Sequence, residues 1–488
     1  MYVLGIDFGG GAAKATLLSS DGVITATHSV EYPTNYPQKG WCEQNPHDWY
    51  AAARQCIGAL LEKSGIPASE IAAVSLDAAT HTAVLLDDDF QPLRPAIHWT
   101  DSRSVAEVAW LKEHFGQTIE TEVLHKPDTI WTLPQLLWVR KNEPEIWRQT
   151  RKILFAKDFV RHQLTGDFVT DKIEAQGSMF FNYRTMDWSL ELCEVAEIQA
   201  SMLPKLVQPI DVVGEVTSQA AEETGLVAGT PVLCGTTDTV MEVFASGAVC
   251  AEDMTVKLAT AGRICVVTRQ AYPNRNLINY SHVAEGLWYP GTATKSCAAS
   301  YRWYRDTFGG KYRELDAGAE AVPAGCQGLL FHPYLNGELT PYADPLLCGS
   351  FVGMRAHHTR AHFTRAVLEG VALSMLDCRL ALEEIQIPHA DTAVVIGGGA
   401  ASPLWRQILA DTLDLTLVQK ENSDSSFGSA MLAATAVGMF RSLEEAVKQC
   451  SQEVSRTFSC PERHALYREL FRKYKNVQAA LEPIYHES

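Results

Sequence analysis

The chain is predicted to be an α/β protein of two domains, on three observations: its length, an alternation of short apolar strands with 3.6-period helices, and one glycine hairpin pattern met twice. At 488 residues it exceeds a single ordinary core, since chains divide into domains of about 100–200 residues. Hydrophobic residues at 46% and charged residues at 20% are the balance of a globular protein with ample core.

The first element is an apolar strand closing at Asp7, followed by Phe8-Gly9-Gly10-Gly11 and a second strand through Lys14 to Leu18. Ser19-Ser20-Asp21-Gly22 turns the chain into a third strand from Val23, so the order is strand, glycine loop, strand, turn, strand. A dinucleotide-binding fingerprint would use its glycines to open a helix, so that reading is set aside. Helical periodicity then spans Asp48 to Ser64. Ile71 to Leu76 and Ala83 to Leu86 flank the polar loop Asp77-Ala78-Ala79-Thr80-His81 and are expected to form a hairpin. Further helices are expected over Thr132 to Lys141 and Lys157 to Leu164.

Pro231 to Leu233 is an apolar strand that ends at Gly235, and helical periodicity begins just after Asp238. Open α/β sheets place ligands at such strand ends, and a helix amino terminus keeps a carboxylate ionised and able to accept a proton. Aspartate is equally a favoured helix cap, so local sequence leaves both roles open.

Ser246-Gly247-Ala248 marks a boundary, dividing the chain into domains 1–246 and 247–488. Past it, Met254 to Val267 repeats the opening pattern around Thr260-Ala261-Gly262. Two such hairpins suggest a duplicated architecture with one nucleotide cleft between the halves, each loop gripping phosphates. A third cluster, Gly397-Gly398-Gly399, ends a buried strand, with Ser402 as cap and Pro403 as first residue of the next helix. Glu462 to Tyr485 reads as a closing helix.

A formal charge of -17 opposes binding to a nucleic-acid backbone, which requires basic stripes. The 12 cysteines are scattered with no Cys-x-x-Cys, so neither disulfides nor zinc are expected. His357, His358 and His362 lack a carboxylate or cysteine partner at ligand spacing and read as a solvated face. The longest uncharged stretch, Ser425 to Phe440, is short for a membrane span, and the amino terminus shows no leader pattern, so a cytoplasmic protein without membrane contact is expected.

Five stretches, in order along nearly the whole chain, carry a family resemblance. They are Asp7-Phe8-Gly9-Gly10-Gly11, Glu43-Gln44-Asn45-Pro46, Arg94 to Arg103, Tyr334 to Pro341 and Gly397 to Gln407. The sequence resembles the FGGY carbohydrate kinases and, among them, is most similar to the xylulokinases. The resemblance implies two ribonuclease-H-like domains of the actin-like ATPase kind. It further implies transfer of the ATP γ-phosphoryl group, with Mg²⁺, to a terminal hydroxyl of a ketose, D-xylulose first and another pentulose or polyol such as ribulose or glycerol next, the alternative from another class being an actin-like ATPase without sugar kinase activity. Domain closure on the sugar would keep water from the reaction. A homodimer is the family-based expectation.

By the same similarity Asp238 falls on the catalytic base, Asp7 on the carboxylate near Mg²⁺ and the phosphates, and Lys14 on a basic position of the first phosphate loop. Thr260 and Gly262 fall on the second phosphate loop, Gly398 and Gly399 on the nucleotide-side turn, and Thr80 and His81 on the sugar loop with Asp101 and Arg103 beside it. Trp99 and Trp131 are candidates for an apolar wall against a sugar's C–H face. Departures concentrate at the pocket. Gly10, Gly11 and Ala12 stand where the family commonly carries hydroxyls, leaving phosphate to backbone amides, and Ala79-Thr80-His81 replaces Gln-Met-His. Thr237 and Thr239 replace the residues usual around the base, and Leu339 replaces an arginine.

Overall fold

The computed structural model describes residues 1–274 and 276–487. It contains two compact units. The first comprises Met1–Val249, Tyr280–Gly286 and Asn422–Ser451; the second comprises Cys250–Asn279, Leu287–Glu421 and the chain from Gln452 onward. A single cut after residue 246 therefore separates the two except chiefly for 280–286 and 422–451, which pack with the first. The reason for the larger segment is physical. The helix Ser425–Ala436 is buried along most of its length and lies directly on the strand Tyr2–Phe8, where a Cβ on Gly5 would stand 2.0 Å from the Ser426 carbonyl oxygen.

The main sheet of the first unit runs in the order Val212–Glu215, Pro231–Leu233, Ile71–Ala78, Tyr2–Phe8, Ala12–Ser19, Ile24–Glu31. The last three form an antiparallel meander, and Ile71–Ala78 joins Tyr2–Phe8 in parallel. The expected hairpin of Ile71 to Leu76 with Ala83 to Leu86 does not form: Ala83–Leu86 pairs antiparallel with Lys152–Phe155 instead. Seven of the eight residues in Ile71–Ala78 are buried, and a strand covered on both faces belongs at the centre of a sheet with parallel neighbours. The short strand Thr236–Thr237 also pairs with it in parallel.

The second unit repeats the plan. Its sheet runs Gly291–Thr294, Gly262–Val266, Met254–Leu258, Thr392–Ile396, Thr416–Lys420, Glu453–Thr457. Again three antiparallel strands lead to two parallel ones and an antiparallel edge. This is the ribonuclease-H-like arrangement implied by the resemblance, present twice.

The expected helices appear as Pro46–Ser64, Thr132–Asn142, Ala156–Thr165 and Pro461–His486. The first shows why its ends fall where they do: the Asn45 side chain accepts the His47 N–H, Pro46 fills the first turn, and Gly65 closes it at φ 66°. The uncharged stretch from Ser425 becomes a buried helix, and no helix among the described residues is long and apolar enough to cross a membrane. Among the described residues no cysteine is joined in a disulfide.

Candidate active site

Sheet register assembles the first part of the site. Antiparallel pairing sets Asp7 opposite Lys14, parallel pairing sets Asp7 opposite Asp77, and Asp77 stands opposite Thr236. One row across the sheet of the first unit thus carries Lys14, Asp7, Asp77 and Thr236, at the carboxyl ends of its parallel strands. Asp238 follows two residues later as the first residue of the helix Asp238–Ala245. Thr237 takes the cap position, and the Thr239 hydroxyl donates to Asp238 Oδ1 at 3.0 Å.

The amino end of the helix Ser425–Ala436 completes this cluster from a distant part of the chain. Lys14 Nζ is 2.6 Å from Asp424 Oδ2, the hydroxyls of Thr16 and Ser426 are 2.7 Å apart, and the Ser429 hydroxyl donates to Asp77 Oδ2 at 2.5 Å. Burial, then the nearby Asp238 and Asp424 charges, push the Asp7 carboxyl up to about 7. Burial and Asp7 itself hold Asp77 well above the ordinary carboxylate range. With both ionised, Asp7 Oδ1 and Asp77 Oδ1 are buried without a donor, and one proton between them relieves the pair.

The glycine hairpin beside this row is held by its carbonyls. Gly9 N–H closes the turn on the Ala12 carbonyl at 3.1 Å. The Gly9 carbonyl accepts the Tyr32 hydroxyl, the Gly10 carbonyl accepts Gln44 Nε2 at 2.9 Å, and the Gly11 carbonyl accepts the Tyr32 N–H at 3.0 Å. Because the C=O and N–H of a peptide point to opposite edges, these bonds turn the N–H groups of Gly10 and Gly11 the other way. None of the three glycines has positive φ, and a Cβ on Gly11 would meet nothing within 4 Å. Glycine here leaves backbone bare; the turn itself does not demand it.

Thr80 and His81 lie together in a buried loop of the same unit. His81 has φ 55°, its N–H donates to Glu174 Oε1, and its carbonyl accepts the Thr132 hydroxyl at 2.7 Å. The imidazole lies 4.8 Å from the Trp131 ring, which stacks on His125 at 4.2 Å. Burial, then His125 and His98, push His81 down to about 3, so it is neutral. Trp131 is buried, whereas Trp99 is 42% exposed.

Asp101 and Arg103 are brought together in an ion network. Arg103 donates to both Asp101 oxygens, at 2.9 and 2.8 Å, and reaches Glu43 at 2.8 Å. Its guanidinium lies 3.8 Å from the Trp41 ring centre, and Asp101 also accepts the Cys42 N–H at 2.5 Å. Both side chains are thereby engaged with scaffold groups; His98 is the neighbour that Asp101 and His81 share electrostatically.

In the second unit, Thr260, Gly398 and Gly399 line one cavity of about 840 Å³, with Tyr301, Ser402 and Trp405 among its walls. Gly397 makes the turn at φ 88°, where a Cβ would stand 2.7 Å from the Leu258 carbonyl oxygen, and the Ser402 hydroxyl caps the helix Pro403–Leu413 by accepting the Trp405 N–H at 3.2 Å. An aromatic wall, bare glycine backbone and a helix amino end suit a nucleoside with phosphates. Gly262 opens the strand after the Thr260 turn, and a Cβ there would meet Met375 Sδ at 2.6 Å and Thr294 Cγ2 at 2.7 Å, so packing around it leaves no room for a side chain.

Asp77, Asp424, Ser429 and Glu174 are site neighbours that the sequence reading does not single out. Asp77 carries the same signal as Asp7, an aspartate closing an apolar strand; Asp424 lies 410 residues from its partner Lys14, and no local pattern announces it.

The N-terminal domain model of the FGGY family of carbohydrate kinases matches residues 2–245, and the C-terminal domain model matches residues 232–437. A xylulose kinase of Bacillus subtilis (strain 168) is 33% identical over 484 residues, covering 98% of this chain and 96% of its own. The crystal structure of xylulose kinase from Rhodospirillum rubrum superposes with a TM-score of 0.93 at 27% identity, over 100% of both chains. That of gluconate kinase from Lactobacillus acidophilus gives 0.93 at 27%, over 100% of this chain and 99% of its own.

Proposed function

The chain belongs to the FGGY family of carbohydrate kinases, and from that premise we propose that it transfers the γ-phosphoryl group of ATP to the terminal hydroxyl of D-xylulose, giving D-xylulose 5-phosphate. The observation that carries the chemistry is the register row Lys14, Asp7, Asp77, Thr236 with Asp238 at its end. In this reading Asp238 accepts the proton of the attacking hydroxyl as the new O–P bond forms and the bond to the ADP oxygen breaks. Gly10 and Gly11 offer backbone N–H groups to the phosphates beside Gly9, and Lys14 adds a cation once exchanged from Asp424.

Two buried carboxylate oxygens without a donor, Asp7 Oδ1 and Asp77 Oδ1, fit a hard divalent cation, so Asp7, directly or through water, is the residue assigned to Mg²⁺. When bound, that ion would neutralise charge on the phosphate oxygens. Thr260, Gly398 and Gly399 take the nucleotide in the cavity of the second unit, and Gly262 supports Thr260 from the core. Thr80 and His81, backed by Trp131, contact the sugar, while Asp101 and Arg103 brace the segment beside them.

The same overall similarity to a gluconate kinase structure makes the acceptor a point for experiment. ADP release with Mg·ATP is to be measured against D-xylulose, D-ribulose, glycerol and gluconate, with phosphorus NMR locating the new ester. The expected result is the strongest turnover with D-xylulose and a 5-phosphate product. Preference for gluconate would overturn the acceptor and keep the reaction class; silence with every sugar would overturn the reading.

A further inference from the structure

His81 occupies a left-handed backbone region that is unfavourable for an L-residue and persists only where the surroundings over-determine it. Three groups converge on it. Glu174 Oε1 accepts its N–H, the Thr132 hydroxyl donates to its carbonyl at 2.7 Å, and Gly177 faces its ring. A Cβ on Gly177 would stand 2.7 Å from His81 Cδ2 and 2.9 Å from His81 Cβ, although the backbone there, at φ -72°, accepts any residue. The three atoms nearest to such a Cβ all belong to the His81 side chain, which therefore favours glycine at 177.

Glu174 is itself fixed. Asp171 Oδ1 accepts the N–H groups of Ile173 and Glu174 at 2.9 and 3.1 Å, and Asp171 is paired with the fully buried Lys157 at 2.9 Å. The same Asp171 oxygen accepts the Thr236 hydroxyl at 2.8 Å, two residues before Asp238. One buried carboxylate thus ties the support of the His81 loop to the strand that ends at the assigned base.

We propose that Glu174 is a positioning residue for sugar binding, holding His81 in its left-handed conformation by accepting its backbone N–H while Gly177 leaves room for the ring. The proposal rests on the reading that His81 contacts the acceptor sugar. Burial drives the Glu174 carboxyl well above its ordinary range, so the amide of glutamine is a close replacement for the neutral acid.

Initial rates with D-xylulose and Mg·ATP test this in E174A, E174Q and G177A. E174A is expected to raise the sugar KM about tenfold, the worth of one buried hydrogen bond, with the ATP KM within about twofold of wild type. E174Q retains the acceptor and is expected to restore the sugar KM to within about threefold. G177A, which leaves Glu174 intact, is expected to reproduce the E174A split, and it decides the matter if E174A fails to fold. An unchanged sugar KM in E174A and G177A, or a glutamine variant as impaired as alanine, would overturn the positioning role. A wild-type enzyme inactive on every ketose would overturn the sugar-kinase reading beneath it, and this role with it.

Discussion

Burying an imidazole disfavours its charged form, and His81 is an acute case because two further histidines stand nearby. Its folded value of about 3 lies below the ordinary value of 6.5, so the neutral ring contributes stability that is present above pH 6.5 and is lost as pH falls toward 3. In NMR of histidine-labelled protein, the His81 resonance, assigned by its loss in His81→Asn, is expected to hold its shift from pH 8 to pH 5. A midpoint near 6.5 would contradict the burial. How far single residues were legible follows from how local their signals are. Asp7 and Asp238 close apolar strands in the sequence itself, and Thr80 and His81 come from motif similarity. Asp77 closes a strand too, but it was absorbed into an expected hairpin loop. Asp101 and Arg103 were expected beside the sugar loop, and their mutual ion pair depends on Glu43 and Trp41, far back in the chain.

Elements bounded by local pairing were readable and those made by distant pairing were not. The hairpins around Gly9 to Gly11 and Thr260 to Gly262 join neighbours in sequence, so period and turn chemistry sufficed. Ile71–Ala78 pairs with Tyr2–Phe8 and with Thr236–Thr237, and nothing within the stretch itself distinguishes that from a hairpin. The helix Ser425–Ala436 was visible only as an uncharged stretch; its seat on Gly5 was not. Gly5→Ala would drive a methyl into the Ser426 carbonyl, and overpacking of this kind costs about 1–3 kcal/mol or more. Urea denaturation is expected to show that loss, whereas Gly11→Ala, with open space around it, stays within about 0.5 kcal/mol of wild type. Equal stability of the two variants would contradict the packing described.

On the scale of the molecule, two glycine hairpins point to the duplicated topology, whereas nothing announces the return of 422–451 to the first unit, because it follows all but the last strand of the second sheet in sequence. A fragment ending at residue 246 lacks the helix that covers its own central strands, so it is expected to show no cooperative thermal unfolding by circular dichroism. The same fragment joined by a flexible linker to residues 422–451 is expected to regain it. Cooperative melting of the short fragment would show that the helix is dispensable. In the proposed mechanism the first unit supplies the acid row and base, and the cavity of the second takes the nucleotide. The most direct measurement is the D-xylulose-dependent ADP release of Asp238→Asn beside its ATP affinity by calorimetry. A fall in kcat of about 10²–10⁴-fold with ATP binding unchanged is expected of a lost general base. Turnover at the wild-type rate would remove Asp238 from the reaction and contradict the proposed mechanism.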